Sequence, residues 1–426
     1  MLKSVKKGVT LLIKGPTCMT LRKGKAEVLA APLHMGEKLI VRKGRSLPFE
    51  VIEDSDFEVA FGVDAKIDEI SGSTIPISWR DAAIKLTLNE VSNKVLVLGT
   101  SDIGKTTFCT YLANSALANT FEVNVIDGDL GQSDIGPPTT ISSSKLTEPV
   151  ADLFNVEPVN IFFTGITTPS WAPERVLKGF TFLNESCKEE AGSFTIINTD
   201  GWIAGEGAVN YKTNLISDLC PETVIGIQES EELEKILQVA EKQGFGVIRL
   251  ERPNHIQKRD RNERKHLREQ GYHKFLKGII TRSIPLSWIH LDNTPLSRGE
   301  TPTVERLKEL ENLFGCQITY CEESIDTLFI VFGREKPNDE ASSKVNNVLN
   351  KRLFSVFRGE EKGLLVGISD ERGIFLGIGV VQEIDYANQL IKVHTPVEDK
   401  IGYIHFGQVI VNKYGKELGV NSSFSF

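Results

Sequence analysis

Gly99, Thr100, Ser101, Asp102, Ile103, Gly104, Lys105 and Thr106 follow the spacing G-x-x-x-x-G-K-[ST], and Thr107 continues the run. That spacing suits phosphate chemistry. A loop poor in bulky side chains lets backbone N–H groups curl around phosphate oxygens, and a helix starting there adds its positive end. Lys105 would neutralise the β and γ phosphates of a nucleotide, with the Thr106 hydroxyl as the expected magnesium ligand. Further on, Asp127-Gly128-Asp129-Leu130-Gly131-Gln132 closes a second apolar run. Two aspartates two positions apart on an extended chain project to one side, so one can hold the magnesium shell while the other takes a proton. The flanking glycines also suit a turn, the lesser alternative, in which the aspartates only form it.

Two more stretches could act on an acceptor. Asn198-Thr199-Asp200-Gly201-Trp202 unites a hydroxyl, a flexible backbone and an indole ahead of the glycine-broken IAGEGAVNYK. Thr199 and the loop N–H groups could bind a phosphate, while Trp202 either stacks on a base or buttresses the loop from within. Between Arg259 and Arg268, the residues Arg261, Arg264, Lys265 and Arg268 fall at helical spacing. A helix there lines them on one face, able to close over a γ-phosphate as a lid.

The elements that must position these groups are legible in the apolar pattern. KVLVLG, FEVNVID, FTIINTDG and TVIGIQ alternate with helical or looped stretches, which predicts an α/β fold with a parallel sheet flanked by helices. Residues 1–88 carry short apolar stretches broken by glycine turns, a small β-rich domain. The P-loop domain is expected over 89–295, with the lid near 256–278. The Pro/Gly/Thr-rich LDNTPLSRGETP suits a linker to a second β-rich domain, 296–426, whose closing NSSFSF reads as a loose end.

Composition narrows the function classes. The chain has 426 residues, 40% hydrophobic and 25% charged, with a net charge of −8. It lacks an uncharged apolar run long enough to span a bilayer, and an early lysine interrupts any signal-peptide core, so a cytoplasmic place is expected. Six scattered cysteines without a C-x-x-C pair fit neither a disulfide framework nor a zinc site, and the seven histidines are dispersed; any metal is expected on oxygen ligands. Residues 1–45 hold eleven Lys or Arg against Glu27 and Glu37, and residues 256–278 hold eight against Asp260, Glu263 and Glu269. Such runs are either solvated faces or local patches for an anionic partner. No N-K-x-D follows the phosphate loop, which weakens a regulatory GTPase reading.

The ordered set GTSDIGKT, DGDLGQ, NTDGW and RDRNERKHLREQGYHKF, in a β-domain, P-loop domain, β-domain layout, resembles the polynucleotide 5'-hydroxyl kinases. That family includes an archaeal RNA kinase and eukaryotic kinases of pre-mRNA, tRNA and ribosomal-RNA processing, and the compact archaeal form is the nearest in layout. The resemblance implies that Gly99 to Thr107 bind ATP, that Thr106 and Asp127 serve Mg2+, and that Asp129 is the general base. It implies that Thr199, Gly201 and Trp202 form a clasp on the first internucleotide phosphate, that Gln132 helps place the acceptor, and that Arg264 and Arg268 belong to the lid. Lys105, Asp129, Arg264 and Arg268 would be the catalytic set. Thr167-Thr168-Pro169-Ser170-Trp171 departs from the family's serine-proline wording. The implied partner is the 5'-hydroxyl end of RNA or DNA, with no membrane and with RNA-processing proteins as further partners. Two rivals stand beside it: a catalytically silent ATP-bound scaffold in an RNA-processing complex, and a P-loop NTPase.

Overall fold

The computed structural model describes residues 1–88, 93–119, 121–187, 192–256, 258–333 and 349–424. They form two compact units, one of 1–164 with 168–268 and one of 165–167 with 269–426.

The first unit opens with a seven-stranded sheet, β1 (Leu2–Val5), β2 (Val9–Lys14), β3 (Thr17–Val28), β4 (Ala31–Pro32), β5 (Lys38–Val41), β6 (Ser46–Phe61) and β7 (Lys66–Ser71). The path runs β4-β3-β6-β2-β7, with β1 on β6 and β5 on β3. Every pair is antiparallel, though only β3·β4 joins consecutive strands through a tight turn. Bulges between Leu21 and Ala26 bend the long β3·β6 ladder, which lets it curl around Phe49 and Phe57.

Helix α1 (Ile77–Thr87) leads to a second sheet of β8 (Asn93–Leu98), β9 (Glu122–Gly128), β10 (Thr140–Leu146), β11 (Asn160–Phe163), β12 (Ser193–Thr199), β13 (Thr223–Gln228) and β14 (Gly246–Glu251), interleaved with α2 (Lys105–Ala118), α3 (Pro173–Ser186), α4 (Glu206–Leu219), α5 (Glu234–Lys242) and, beyond β14, α6 (Arg261–Phe275). Strand order is β11-β10-β9-β12-β8-β13-β14. The five strands β9, β12, β8, β13 and β14 are parallel, and Val95 through Leu98 are wholly buried, as the apolar runs predict. β10 and β11 join antiparallel, which the apolar pattern does not announce. The connection 129–139 carries no crossover helix, so β10 turns back beside β9. One hydrophobic core joins both sheets of this unit, from Phe49 through Trp79 to Phe108 and Val95.

The second unit contains β15 (Ile280–Pro285), β16 (His290–Asp292), α7 (Val304–Phe314), β17 (Ile318–Glu323), β18 (Thr327–Phe332), β19 (Arg352–Phe357), β20 (Leu364–Ser369), β21 (Phe375–Asp385), β22 (Leu390–Thr395), β23 (Tyr403–Val411) and β24 (Glu417–Val420). The larger sheet runs β15-β22-β21-β20-β23-β16 with β24 on β23, and β17-β18-β19 forms a smaller one. The chain end is not loose as far as Phe424: that ring is fully buried, 6.2 Å from Phe329 and 6.4 Å from Phe406. Ser425 and Phe426 lie outside the described residues.

Candidate active site

β8 ends at Leu98 and α2 begins at Lys105, so residues 99–104 form the loop between them at the carboxyl edge of the parallel strands. Gly104 caps α2 at φ 110°, and a Cβ there would lie 2.6 Å from Ile256 Cδ1, so only glycine fits. Asp102 also takes a left-handed φ, 58°. Lys105 is buried and donates from Nζ to the Thr100 carbonyl at 2.9 Å, inside the loop it serves.

Asp127 and Asp129 divide their work differently from two parallel carboxylates. Asp127 is wholly buried, and its carboxylate accepts from Ser133 Oγ (3.2 Å), the N–H groups of Asp129 (3.3 Å), Asp134 (2.7 Å) and Ile135 (3.3 Å), and Asn198 Nδ2 (3.0 Å). It anchors the 129–135 turn, so the turn-forming alternative describes its contacts as well. Asn198 Nδ2 also reaches Thr106 Oγ1 at 3.3 Å, tying the phosphate loop to Asp127. Asp129 stands beyond the strand end, half-buried, accepting from the N–H groups of Gly131 (3.2 Å) and Gln132 (3.1 Å). Burial pushes its carboxyl above the usual range, the Lys105 charge opposing. Burial likewise raises Asp127, against the hydrogen bonds it accepts.

The NTDGW turn sits directly on the phosphate loop. A Cβ on Gly201 would lie 2.3 Å from Ser101 Oγ and 2.5 Å from its backbone N. Thr199 is buried, with its hydroxyl donating to the Val97 carbonyl at 2.8 Å, so it holds the turn to β8. Trp202 is half-buried and stacks on Tyr211, ring centres 5.6 Å apart. Beneath them Asp200 pairs with the wholly buried Lys212 at 2.7 Å. Breaking such a pair from one side typically costs about 3–5 kcal/mol.

The lid helix α6 starts where the spacing predicts, and Asp260 and Glu263 cap it reciprocally, Glu263 N to Asp260 Oδ1 at 2.8 Å and Asp260 N to Glu263 Oε2 at 3.0 Å. Arg264 reaches the Arg259 carbonyl at 2.9 Å and lies 3.6 Å from Asp102. Arg268 is half-buried one turn further on. The arginine seated deepest against the phosphate loop is Arg259, which precedes the helix and so escapes the periodicity argument. It contacts Asp102 (2.8 Å), Gln132 Oε1 (3.2 Å) and the Gly44 carbonyl (3.2 Å).

Lys105, Thr106, Asp129, Gln132 and Arg259 line a pocket whose apolar wall includes Leu12, Pro48, Ile75 and Trp79, whereas Asp127, Thr199, Gly201, Trp202, Arg264 and Arg268 are not among its lining. Trp79 is held by its Nε1 bond to the Glu251 carbonyl at 3.0 Å and by edge contact with Phe108. Arg45 also lines the pocket; burial pulls it down to about 10, with Asp152 opposing. Arg42 and Arg45 bind Asp134, and Arg42 reaches Asp152 at 3.0 Å, whereas Lys6, Arg22 and Lys25 pair at the surface. The first basic run is thus partly solvated and partly a buried brace behind the 129–135 turn. Thr106 Oγ1 and the buried, unpartnered Asn198 Oδ1 give oxygen chemistry that fits a magnesium nucleotide. Among the described residues no cluster of His, Cys, Asp and Glu offers another metal site, and no helix is long and apolar enough to cross a membrane.

Residues 99–278 match the model of the mRNA cleavage and polyadenylation factor CLP1 P-loop. A polyribonucleotide 5'-hydroxyl-kinase of Pyrococcus furiosus is 30% identical over 331 residues, 77% of this chain and 90% of that protein. One of Methanocaldococcus jannaschii is 28% identical over 332 residues, 77% of this chain and 89% of that protein. In solved structures, Clp1p in complex with Pcf11p shares the fold, with a TM-score of 0.69 at 12% identity over 96% of this chain and 97% of that chain. An identity of 30% sustained over nine-tenths of a relative, on the same P-loop architecture, establishes descent: the chain belongs to the polyribonucleotide 5'-hydroxyl-kinase family.

Proposed function

We propose that this chain transfers the γ-phosphoryl group of ATP to the 5'-hydroxyl end of RNA, with DNA ends as further acceptors. One observation carries the reading: the NTDGW turn rests on the phosphate loop at Gly201 and Ser101, so donor and acceptor elements meet at that loop. The P-loop N–H groups and Lys105 hold the β and γ phosphates, and the base lies among Leu12, Pro48, Ile75 and Trp79. Asp129 accepts the proton of the attacking hydroxyl, the new bond forms to the γ phosphorus, and ADP leaves opposite. Arg259, Arg264 and Arg268 stabilise the charge spread over the transferred group. Thr106 and Asn198 would hold magnesium, which would supply charge neutralisation on the phosphates, with Asp127 fixing Asn198. Gln132, fixed by Arg259, and the clasp of Thr199, Gly201 and Trp202 place the acceptor. RNA-processing proteins are the partners this reading favours, supported by the match of residues 99–278 to the mRNA cleavage and polyadenylation factor CLP1 P-loop.

ADP release measured with no oligonucleotide, with a 5'-hydroxyl RNA and with its 5'-phosphorylated form tests this. Release only with the 5'-hydroxyl RNA is expected. Release without any acceptor would favour the NTPase, and ATP binding without release the scaffold. Gly201→Ala must push the clasp off Ser101, and displacements near 1 Å cost about 10²-fold in rate. A fall of that size in kcat/KM is expected for this variant, measured at a temperature where circular dichroism shows it folded.

A further inference from the structure

Asp200 gathers four ties from its own loop and from α4. It accepts from Trp202 N at 2.8 Å, from the Tyr211 hydroxyl at 3.0 Å and from Lys212 Nζ at 2.7 Å, and Lys212 also donates to the Asp200 carbonyl at 3.1 Å. The same Tyr211 ring lies under the Trp202 indole at an interplanar angle of 26°. Lys212 has no exposed surface, and Asp200 is 4% exposed. A lysine buried to that degree sacrifices hydration that an apolar side chain would not, so its position calls for a gain in geometry rather than in stability. The gain is visible two residues after Asp200, where Asp200 fixes the Trp202 N–H and Tyr211 stacks on its indole.

We infer that Lys212 is a positioning residue for the acceptor: with Tyr211 it locks Asp200, and through Asp200 it holds the Gly201-Trp202 turn in the one conformation that grips a polynucleotide end. The inference rests on the kinase reading and adds to it a residue that touches neither ATP nor acceptor. Burial lowers the Lys212 pKa from its ordinary value, with Asp200 opposing.

The test compares the full chain with Lys212→Met and Tyr211→Phe in γ-phosphoryl transfer to a 5'-hydroxyl RNA oligonucleotide, varying ATP and oligonucleotide separately. Lys212→Met is expected to raise the oligonucleotide KM about tenfold or more, and Tyr211→Phe, losing one hydrogen bond, about threefold. The KM for ATP should stay within about twofold in both, since the hydrogen bonds of Tyr211 and Lys212 go to Asp200 and not to the phosphate loop. A side chain serving fold stability alone would move both KM values together, and that result, or no change in either, overturns the inference. Should Lys212→Met fail to fold, Tyr211→Phe decides it by the same selectivity. Absence of transfer by the unsubstituted chain overturns the kinase reading itself, and this inference with it, whereas normal transfer with an unmoved oligonucleotide KM in the variants overturns only the inference.

Discussion

Asp129→Asn is expected to lower kcat by about 10²–10⁴-fold, the range general-base catalysis supplies, while leaving ATP binding intact. The amide keeps the size of the carboxylate and can still accept the Gly131 and Gln132 N–H groups, so the turn survives and only proton acceptance is lost. The pH profile should carry the same signature. Burial disfavours the charged form of Asp129, so its proton leaves at a higher pH than an ordinary carboxylate, and the base becomes competent only above that point. Activity should therefore rise with pH along a limb displaced upward from about 4. Lys105 opposes the shift, so in Lys105→Met the residual activity should show the limb moved higher still. A kcat for Asp129→Asn within threefold of the parent would remove Asp129 from the chemistry.

Arg259→Ala is expected to cost about 10³-fold in kcat, at the lower end of what an arginine closing on a γ-phosphate contributes. Its guanidinium binds Asp102, Gln132 and the Gly44 carbonyl at once, joining the phosphate loop, the acceptor-side turn and the N-terminal sheet. Asp102 is 2% exposed at its side chain and held in the left-handed region, and without Arg259 it would face incoming phosphates with Arg264, 3.6 Å away, as its remaining ion-pair partner. Arg259→Lys should recover little, because a single ammonium cannot span three acceptors in different directions. Single-turnover rates with saturating ATP measure this directly; a change below threefold in Arg259→Ala would exclude the role.

The parts of the site legible in the sequence were those with a local spacing rule. GTSDIGKT fixes its own loop geometry, and the helical repeat through Arg261, Arg264 and Arg268 foretells α6. Groups acting across the fold carry no such mark. Arg259 sits one residue before the Asp260 cap, outside the periodic stretch, and its partners are 157 and 127 positions away. Asn198 reads as the end of an apolar strand, yet it couples Thr106 to Asp127 through the pairing of β12 with β9. Lys212 lies on an ordinary amphipathic helix, and only the fold reveals that its ammonium points inward to Asp200. The aspartates show the limit of the spacing argument itself. Two positions apart should mean one face, but the chain leaves the strand after Gly128, so Asp127 turns to the loop backbone while Asp129 faces the pocket. The antiparallel β10 was hidden for a similar reason, since TISSSKL is polar in sequence but largely buried in place.

Transfer of label from γ-labelled ATP to paired RNA oligonucleotides, one ending in a 5'-hydroxyl and one in a 5'-phosphate, tests the central claim most directly. Label on the 5'-hydroxyl RNA alone, removable by phosphatase and lost in Lys105→Ala and Asp129→Asn, is the expected result. Label that stays on ATP, or appears only as inorganic phosphate whichever RNA is supplied, would contradict it.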